Sequence, residues 1–312
     1  MSRLSLLQRH DPDLNRDRES NNSILLTWQI SFERVLETRK SAANLLSVMS
    51  FCDRVAIPAT LLLEGVENND SWNSEFEKDV AVLRSFSFIS ETAAKRTWEM
   101  HRLVQDAMLI WLNAQNVFEK CRDIFIHCLD ESLLDGYENS RDLRAGQRLF
   151  PHAKIAAQYR PASRDALLEW ASIMHKSSLY LNERGDHIEA LEMARASKDV
   201  RTAQLEQDNE LTARSLNMMA MSYWLEGQFQ EAENFPRMAL GIKERVLGAE
   251  DPSTLHYMDN LGLILRDSNQ LEEAEILLGR VYKISQAKFG EEHLETTHSL
   301  VNLATMLGKQ ER

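Results

Sequence analysis

The chain has 312 residues, 43% of them hydrophobic and 27% charged, with a formal net charge of −12. That charge excludes a broad phosphate-binding face, which needs clustered Lys and Arg, and suits a partner with a basic or mixed-charge surface. With only 11 Gly and 6 Pro there are few breaks, so the composition reads as soluble, globular and mainly α, long enough for two domains.

Residues 1–22 read as an N-terminal remnant or linker. Their start, MSRLSLLQRHDPD, has too short an apolar run for a signal peptide. The Asn21-Asn22-Ser23 sequon therefore carries no meaning without a secretory route. The longest apolar runs, such as AMLIWL, fall far short of the roughly 20 residues of a membrane span, so no membrane partner is expected. Cys52, Cys121 and Cys128 form no metal-like or disulfide framework. Cys121 and Cys128 lie along one helical face, and all three read as reduced core residues of an intracellular, cytoplasmic protein.

ILLTWQISFERVL (24–36) starts apolar and ends in a helical period, and SAANLLSVMSFCD (41–53) reads as a buried helix. Ile57-Pro58-Ala59-Thr60 is predicted to open a helix with Pro58 in its first turn. EFEKDVAVLR (75–84) is a third amphipathic helix. SFSFIS (85–90) alternates and carries aromatics, which predicts a strand; TAAKR is a turn, TWEM a second strand, and a helix runs from His101 to about Asn113. Three helices and a two-stranded hairpin make a winged-helix-like domain over residues 23–116. DNA binding is disfavoured, because the recognition-helix candidate sets Glu75, Glu77 and Asp79 against Lys78 and Arg84. No nucleic-acid partner is expected.

TWQISFERV, AANLLSVMSFCDRVAIP, MHRLVQDAMLIWL and FPHAKIAAQY stand in this order along the chain. Together they resemble the winged-helix region of STAND-type signalling ATPases, the NB-ARC and NACHT relatives, in the fungal branch where it precedes tetratricopeptide repeats. In that family a Met-His pair opens the motif whose histidine contacts the β-phosphate of ADP. The pair here is Met100-His101, followed by Arg102 where plant members carry Asp. The resemblance thus implies a cofactor-binding role for His101 alone, and only if an ATPase domain is present. No G-x-x-x-x-G-K-[ST] motif occurs, and Gly308-Lys309 lacks both the earlier glycine and the following hydroxyl. No strand followed by acidic residues offers a Walker B site. The expectation is a chain without the P-loop ATPase domain and without a cofactor.

Residues 117–162 read as a helical connector. Beyond it the sequence repeats. ERGDHIEALEMA (183–194), LEGQFQEAENFP (225–236) and DSNQLEEAEILL (267–278) align, and Ala190, Ala232 and Ala274 are 42 residues apart. SLNMMAMSYWL, YMDNLGLILRD and SLVNLATMLGK recur in the same register. A second small position reads Ser178, Ala220, Gly262, Ala304. Apolar residues at three- and four-residue spacing, such as Leu216, Met219, Ala220 and Tyr223, make each unit a pair of amphipathic helices. Gly185, Gly227 and Asn269 mark the turn within each pair. One pair cannot bury its apolar face alone, so neighbours stack into a solenoid.

This pattern resembles tetratricopeptide repeats in the 42-residue version found in kinesin light chains and fungal sensor proteins. VLGAEDPSTL and KFGEEHLETT resemble the linkers of that version. The resemblance covers residues 163–312, about three and a half repeats with the last incomplete. Pro236 departs from it, in a second helix, and is predicted to kink that helix or delay its regular part. The family binds proteins or peptides in the groove lined by each first helix. That implies a protein-binding groove of Arg214, Asn217, Met221, Trp224, His256, Asp259, Asn260, Leu263, Arg266, His298 and Asn302. Asn260 and Asn302 match the asparagine that hydrogen-bonds a ligand backbone in kinesin light chains. The last repeat stops one helix in, at Arg312, which would leave Leu300, Leu303 and Leu307 uncovered and offer a route to self-association.

Other chemistry is set aside. His293 and His298 are spaced five apart, where two helical zinc ligands need four. There is no G-x-S-x-G elbow. His127 and Cys128 are sequence neighbours and point about 100 degrees apart on a helix. Glu272, Glu273 and Glu275 read as a solvated helix face. No catalytic residue and no metal ligand is assigned, and the chain reads as a non-catalytic protein–protein interaction module, the regulatory, ligand-sensing part of a STAND-type signalling protein. The alternatives are a kinesin-light-chain-like cargo or chaperone adaptor, or a fragment of a nucleotide-switch ATPase.

Overall fold

The computed structural model describes residues 27–62, 70–134 and 140–310; the N-terminal segment and its sequon lie outside these. The chain divides into two compact units, Met1–Ser132 with Lys154–Pro161, and Leu133–Ala153 with Ala162–Arg312.

In the first unit, α1 covers residues 27–38 and α2 is Lys40–Met49. Then follow β1 (Ile57–Pro58), α3 (Ala59–Leu62), α4 (Asp70–Ser85), β2 (Ile89–Glu91), β3 (Thr97–Met100), α5 (Arg102–Ala114) and α6 (Phe118–Ser132). The strands form one antiparallel sheet in the order β1-β3-β2, with both Ile57 and Glu91 opposite Trp98. Two local expectations are corrected. Ile57 and Pro58 are not a helix start but an edge strand, the place where a residue without N–H is tolerated, and the helix begins at Ala59. The first hairpin strand starts only at Ile89. Ser85 ends α4 and residues 86–88 turn off its end, with Phe88 N–H bonding back to the Leu83 carbonyl at 3.0 Å and Ser87 at φ 56°. The second strand and the helix after it lie where the sequence placed them.

Burial explains the rest of this unit. Phe32, Leu46, Met49, Phe51, Leu83, Met108 and Leu112 are fully buried, and Phe32 stacks on Trp28 at 5.3 Å and meets the edge of Trp111 at 4.9 Å. Asp79, on the face once considered for DNA, is buried against Arg39 and accepts a 2.7 Å hydrogen bond from Ser41. Cys52 and Cys128 are buried and Cys121 is half-buried, none of them in a disulfide. Burial, and next the neighbouring Cys128, push the Cys52 thiol well above its ordinary pKa.

The second unit takes most of α7 (Ser140–Ala156), then α8 (Arg164–Arg184), α9 (His187–Gln204), α10 (Glu210–Leu225), α11 (Phe229–Ala232), α12 (Asn234–Leu247), α13 (Pro252–Asp267), α14 (Leu271–Phe289) and α15 (Leu294–Gln310). The first helices α8, α10 and α13 each turn back into a second helix at Gly185, Gly227 and Asn269, with φ of 83°, 73° and 65°. Only a residue that tolerates the left-handed region can make that reversal, which is why Gly or Asn recurs there. Pro236 has the predicted effect. Its ring clashes with the carbonyl four residues earlier, and the second helix of that pair is split at Glu233 into α11 and α12. Gly262 allows α13 and α14 their close approach: a Cβ there would sit 2.6 Å from Leu278 Cδ2. The core of these pairs joins Leu216, Leu240, Tyr257, Met258, Leu261, Leu278 and Met306. On α15, Leu303 packs against this core, whereas Leu300 and Leu307 are exposed.

Candidate functional site: a polar groove along the first helices

The first helices of successive pairs are tied side by side by polar side chains. Asn182 on α8 donates to Ser222 Oγ on α10 at 3.0 Å. Asn260 Nδ2 on α13 lies 3.4 Å from Asn217 Oδ1 on α10 and 3.2 Å from His256 Nε2. Asn302 Nδ2 on α15 donates to Asp259 Oδ2 at 2.7 Å, with His298 Nδ1 3.5 Å from the same oxygen. The Asn217–Asn260 and Asp259–Asn302 bonds each join residues 43 apart. That is one repeat plus one residue, so the same contact is made twice along the stack.

A second row lies nearer the helix ends. Trp224 Nε1 donates to Asp267 Oδ2 at 2.9 Å, Arg266 holds the same carboxylate and reaches Thr305 Oγ1 at 3.3 Å, and Lys309 Nζ bonds the Arg266 carbonyl at 2.9 Å. Burial would raise the Asp267 pKa, but the hydrogen bonds from Arg266 and Trp224 outweigh it and lower it.

Of the residues predicted for the groove, the structure joins Asn217, Asn260 and His256 in one set, Asp259, Asn302 and His298 in another, and Trp224 with Arg266 in a third. Arg214, Met221 and Leu263 lie half-buried on the same helices. Asn260 and Asn302 are largely buried; Asn260 uses its two amide donors on Asn217 and His256, and Asn302 uses one of its two on Asp259. Asn260 has its carbonyl oxygen left to offer a ligand, and Asn302 has its carbonyl oxygen and one N–H. Sequence reasoning missed Asn182, Ser222, Asp267 and Lys309. The last two stand 42 apart in the repeat register, a signal that was present.

His175 was missed too. It sits on α8 one period before Asn217, is buried, and its Nδ1 has no hydrogen-bond partner. Burial lowers its pKa well below that of an ordinary histidine, with Arg201, Arg214 and Lys176 adding repulsion. The acidic run on α14 is more than a solvated face: Glu273 accepts from Arg237 at 2.6 and 2.7 Å, clamping α12 to α14.

The other candidates have local duties. His101 is the N-cap of α5, directly after β3, and its Nδ1 accepts the Leu103 N–H at 3.2 Å. His293 caps α15 in the same way through Glu295 N–H and stacks on Phe289 at 4.9 Å. Among the described residues, no three His, Cys, Asp or Glu side chains are placed to hold a metal ion, and no helix is long and apolar enough to cross a membrane.

Residues 171–245 and 254–295 match family models described as tetratricopeptide repeat. The second unit is a tetratricopeptide solenoid. Such arrays are protein-interaction scaffolds, and this chain carries one. Residues 34–117 match a domain of unknown function, DUF7779. A nucleotide-binding leucine-rich repeat (NLR)-like protein of Hyaloscypha variabilis is 27% identical over 82% of this chain and 21% of its own length. The human clustered mitochondria protein homolog is 33% identical over 27% of this chain and 6% of its own. The chain thus spans about a fifth or less of these curated relatives. The solved structure of a Podosopora anserina putative kinesin light chain with nearly identical TPR-like repeats is 20% identical, covering 62% of this chain and 86% of that one at a TM-score of 0.48. BtubC from P. vanneervenii is 15% identical, with coverage of 65% and 78% and a TM-score of 0.46. The repeat assignment rests on the family models and on the 42-residue register.

Proposed function

We propose that this chain is a non-catalytic, cytoplasmic protein-binding module, the regulatory and ligand-sensing part of a STAND-type signalling protein. The groove of first helices is its binding face. The observation that carries this reading is the polar ladder itself. Asn217, His256, Asp259, Asn260, His298 and Asn302 stand in register along three helices, where packing alone would call for apolar side chains. The fungal NLR-like relative, matched over most of this chain, favours a signalling context. In that context residues 23–116 are the winged-helix-like element between an ATPase domain and the repeats. His101 would then face nucleotide only when such a domain is present, and is otherwise a helix cap.

Pull-down of partners with the wild-type chain and with Asn260→Ala/Asn302→Ala tests the groove. Because Asn302 also ties α15 to Asp259, His256→Ala, at an exposed residue, is run alongside as a milder change. Partner recovery should fall for both variants at unchanged helical content; recovery equal to wild type rules out the groove. Calorimetric titration with ADP should give no heat of binding, and a saturable signal would instead make this chain a nucleotide-binding piece of a switch ATPase.

A further inference from the structure

The charge of the groove is uneven, and its α13–α15 stretch is the place to ask what a partner must carry. Asp259 is buried, yet only one of its carboxylate oxygens is engaged. Oδ2 takes the Asn302 amide and faces His298, whereas Oδ1 is buried and has no hydrogen-bond partner. An ionised carboxylate taken out of water with one oxygen unmatched is destabilised, and a donor that reached it would gain what the fold leaves unused. The groups that act electrostatically on Asp259 are His298, His256 and Glu295. Two are imidazoles and the third is another carboxylate, so no lysine or arginine is among them.

The neighbouring polar groups lean the same way. Both amide donors of Asn260 are spent, on Asn217 and His256, and one of the two of Asn302 is spent on Asp259, so Asn260 presents an acceptor and Asn302 an acceptor beside one remaining N–H. A site that offers acceptors and a buried negative charge recognises a ligand rich in donors and positive charge. The His298 side chain that meets Asp259 at Oδ2 is 61% exposed and makes a 3.5 Å contact there, so it can swing aside.

We propose that the α13–α15 stretch of the groove takes a lysine or arginine side chain from an extended segment of a protein partner, with Asp259 as its counter-ion in place of His298 and the Asn260 and Asn302 carbonyl oxygens accepting N–H groups of the segment. This rests on the groove being the binding face. The net charge of −12 draws the same class of partner from a distance, but the bulk field cannot select a position, and Asp259 does.

The test uses the full chain and fluorescein-labelled peptides of alternating Gly and Arg, Gly and Gln, or Gly and Glu, read by fluorescence anisotropy. The Gly-Arg peptide should bind tightest. Asp259→Asn removes the charge but keeps an oxygen for Asn302, and should weaken that binding at least about tenfold, the scale of one charge-assisted hydrogen bond. Glu272→Gln, on exposed α14, removes the same unit of charge and should leave binding within about twofold. Equal losses for the two variants would mean attraction by overall charge and overturn the proposal. So would a preference for the Gln or Glu peptide. If a Gln or Glu peptide binds and Asn260→Ala/Asn302→Ala abolishes it, the groove reading stands and only the cationic specificity falls. If no peptide depends on those asparagines, both fall.

Discussion

Replacing Gly262 with alanine tests whether the small residues of the repeat are set pair by pair. The added Cβ would lie 2.6 Å from Leu278 Cδ2 and 2.7 Å from its Cγ, and Leu278 is fully buried. Since Cγ is close to the backbone, a rotamer change cannot clear the contact, and α13 and α14 must separate slightly. Overpacking of this kind costs about 1–3 kcal/mol, while Ala in place of Gly in a helix returns about 1 kcal/mol, for a net loss of about 0–2 kcal/mol. Leu278→Ala alone opens a cavity and should cost about 2–5 kcal/mol. In the double variant the alanine methyl enters the space Leu278 vacates, so the clash disappears and the helix gain remains. The pairing then matches Ala220 with Pro236 and Ser178 with Ala194 one and two periods earlier. The double variant should therefore be more stable than Leu278→Ala alone, with a coupling of about 1–3 kcal/mol relative to the sum of the single changes. Guanidinium denaturation of the four proteins, followed by far-UV circular dichroism, measures the cycle. Single changes that add to within about 0.5 kcal/mol would refute the idea that Gly262 is small because Leu278 is large.

Four further outcomes are expected. His175→Asn should flatten the acid side of the stability profile. An unfolded histidine titrates near about 6.5 and the folded one well below, so above that pH there is no effect. As pH falls from there the unfolded state takes the proton first, and stability drops by up to about 1.4 kcal/mol per pH unit; denaturation at several pH values checks this. Asp259→Asn should raise stability by about 1 kcal/mol at neutral pH. Burial holds the folded carboxyl above the usual range, so the cost of ionising it is absent at low pH and grows as pH rises through its folded value; a variant less stable at neutral pH would contradict this. Pro236→Ala should let α11 and α12 merge, which far-UV dichroism would register as added helix and hydrogen exchange as a new protected amide at position 236. His101→Ala should cost about 1 kcal/mol or less through the lost cap, whereas His101→Ser should keep most of it; a much larger loss would assign the ring more than a cap.

Much of this architecture is local, and therefore legible in the sequence. Three apolar residues per two turns, a small residue every 42 and a Gly or Asn at each reversal specify helix pairs that must stack, because each term acts within a few residues or between adjacent copies. Pro236 announced its break for the same reason: its clash is with a carbonyl four residues away. The short strands were less legible. Ile57-Pro58 becomes an edge strand only because β3 arrives beside it from forty residues downstream, and residues 86–88 form a turn whose N–H groups bond back to the last carbonyls of α4 instead of joining the hairpin.

Which groove positions share a contact was beyond the sequence. The 42-residue register lists Asn217, Asp259, Asn260 and Asn302 as equivalent or adjacent, but not that bonds run from one residue to its neighbour 43 further on. That offset depends on how far each first helix is displaced along its axis when the pairs pack. The same packing decides that Asn260 spends both amide donors and Asn302 one inside the solenoid, that one oxygen of Asp259 is left unmatched, and that His175 is buried neutral among Lys176, Arg201 and Arg214. Sequence alone determined the helices, their pairing and the face that would be polar. The hydrogen-bond partners and the electrostatic character of that face belong to the tertiary structure, because both depend on desolvation and on distances between helices a whole repeat apart.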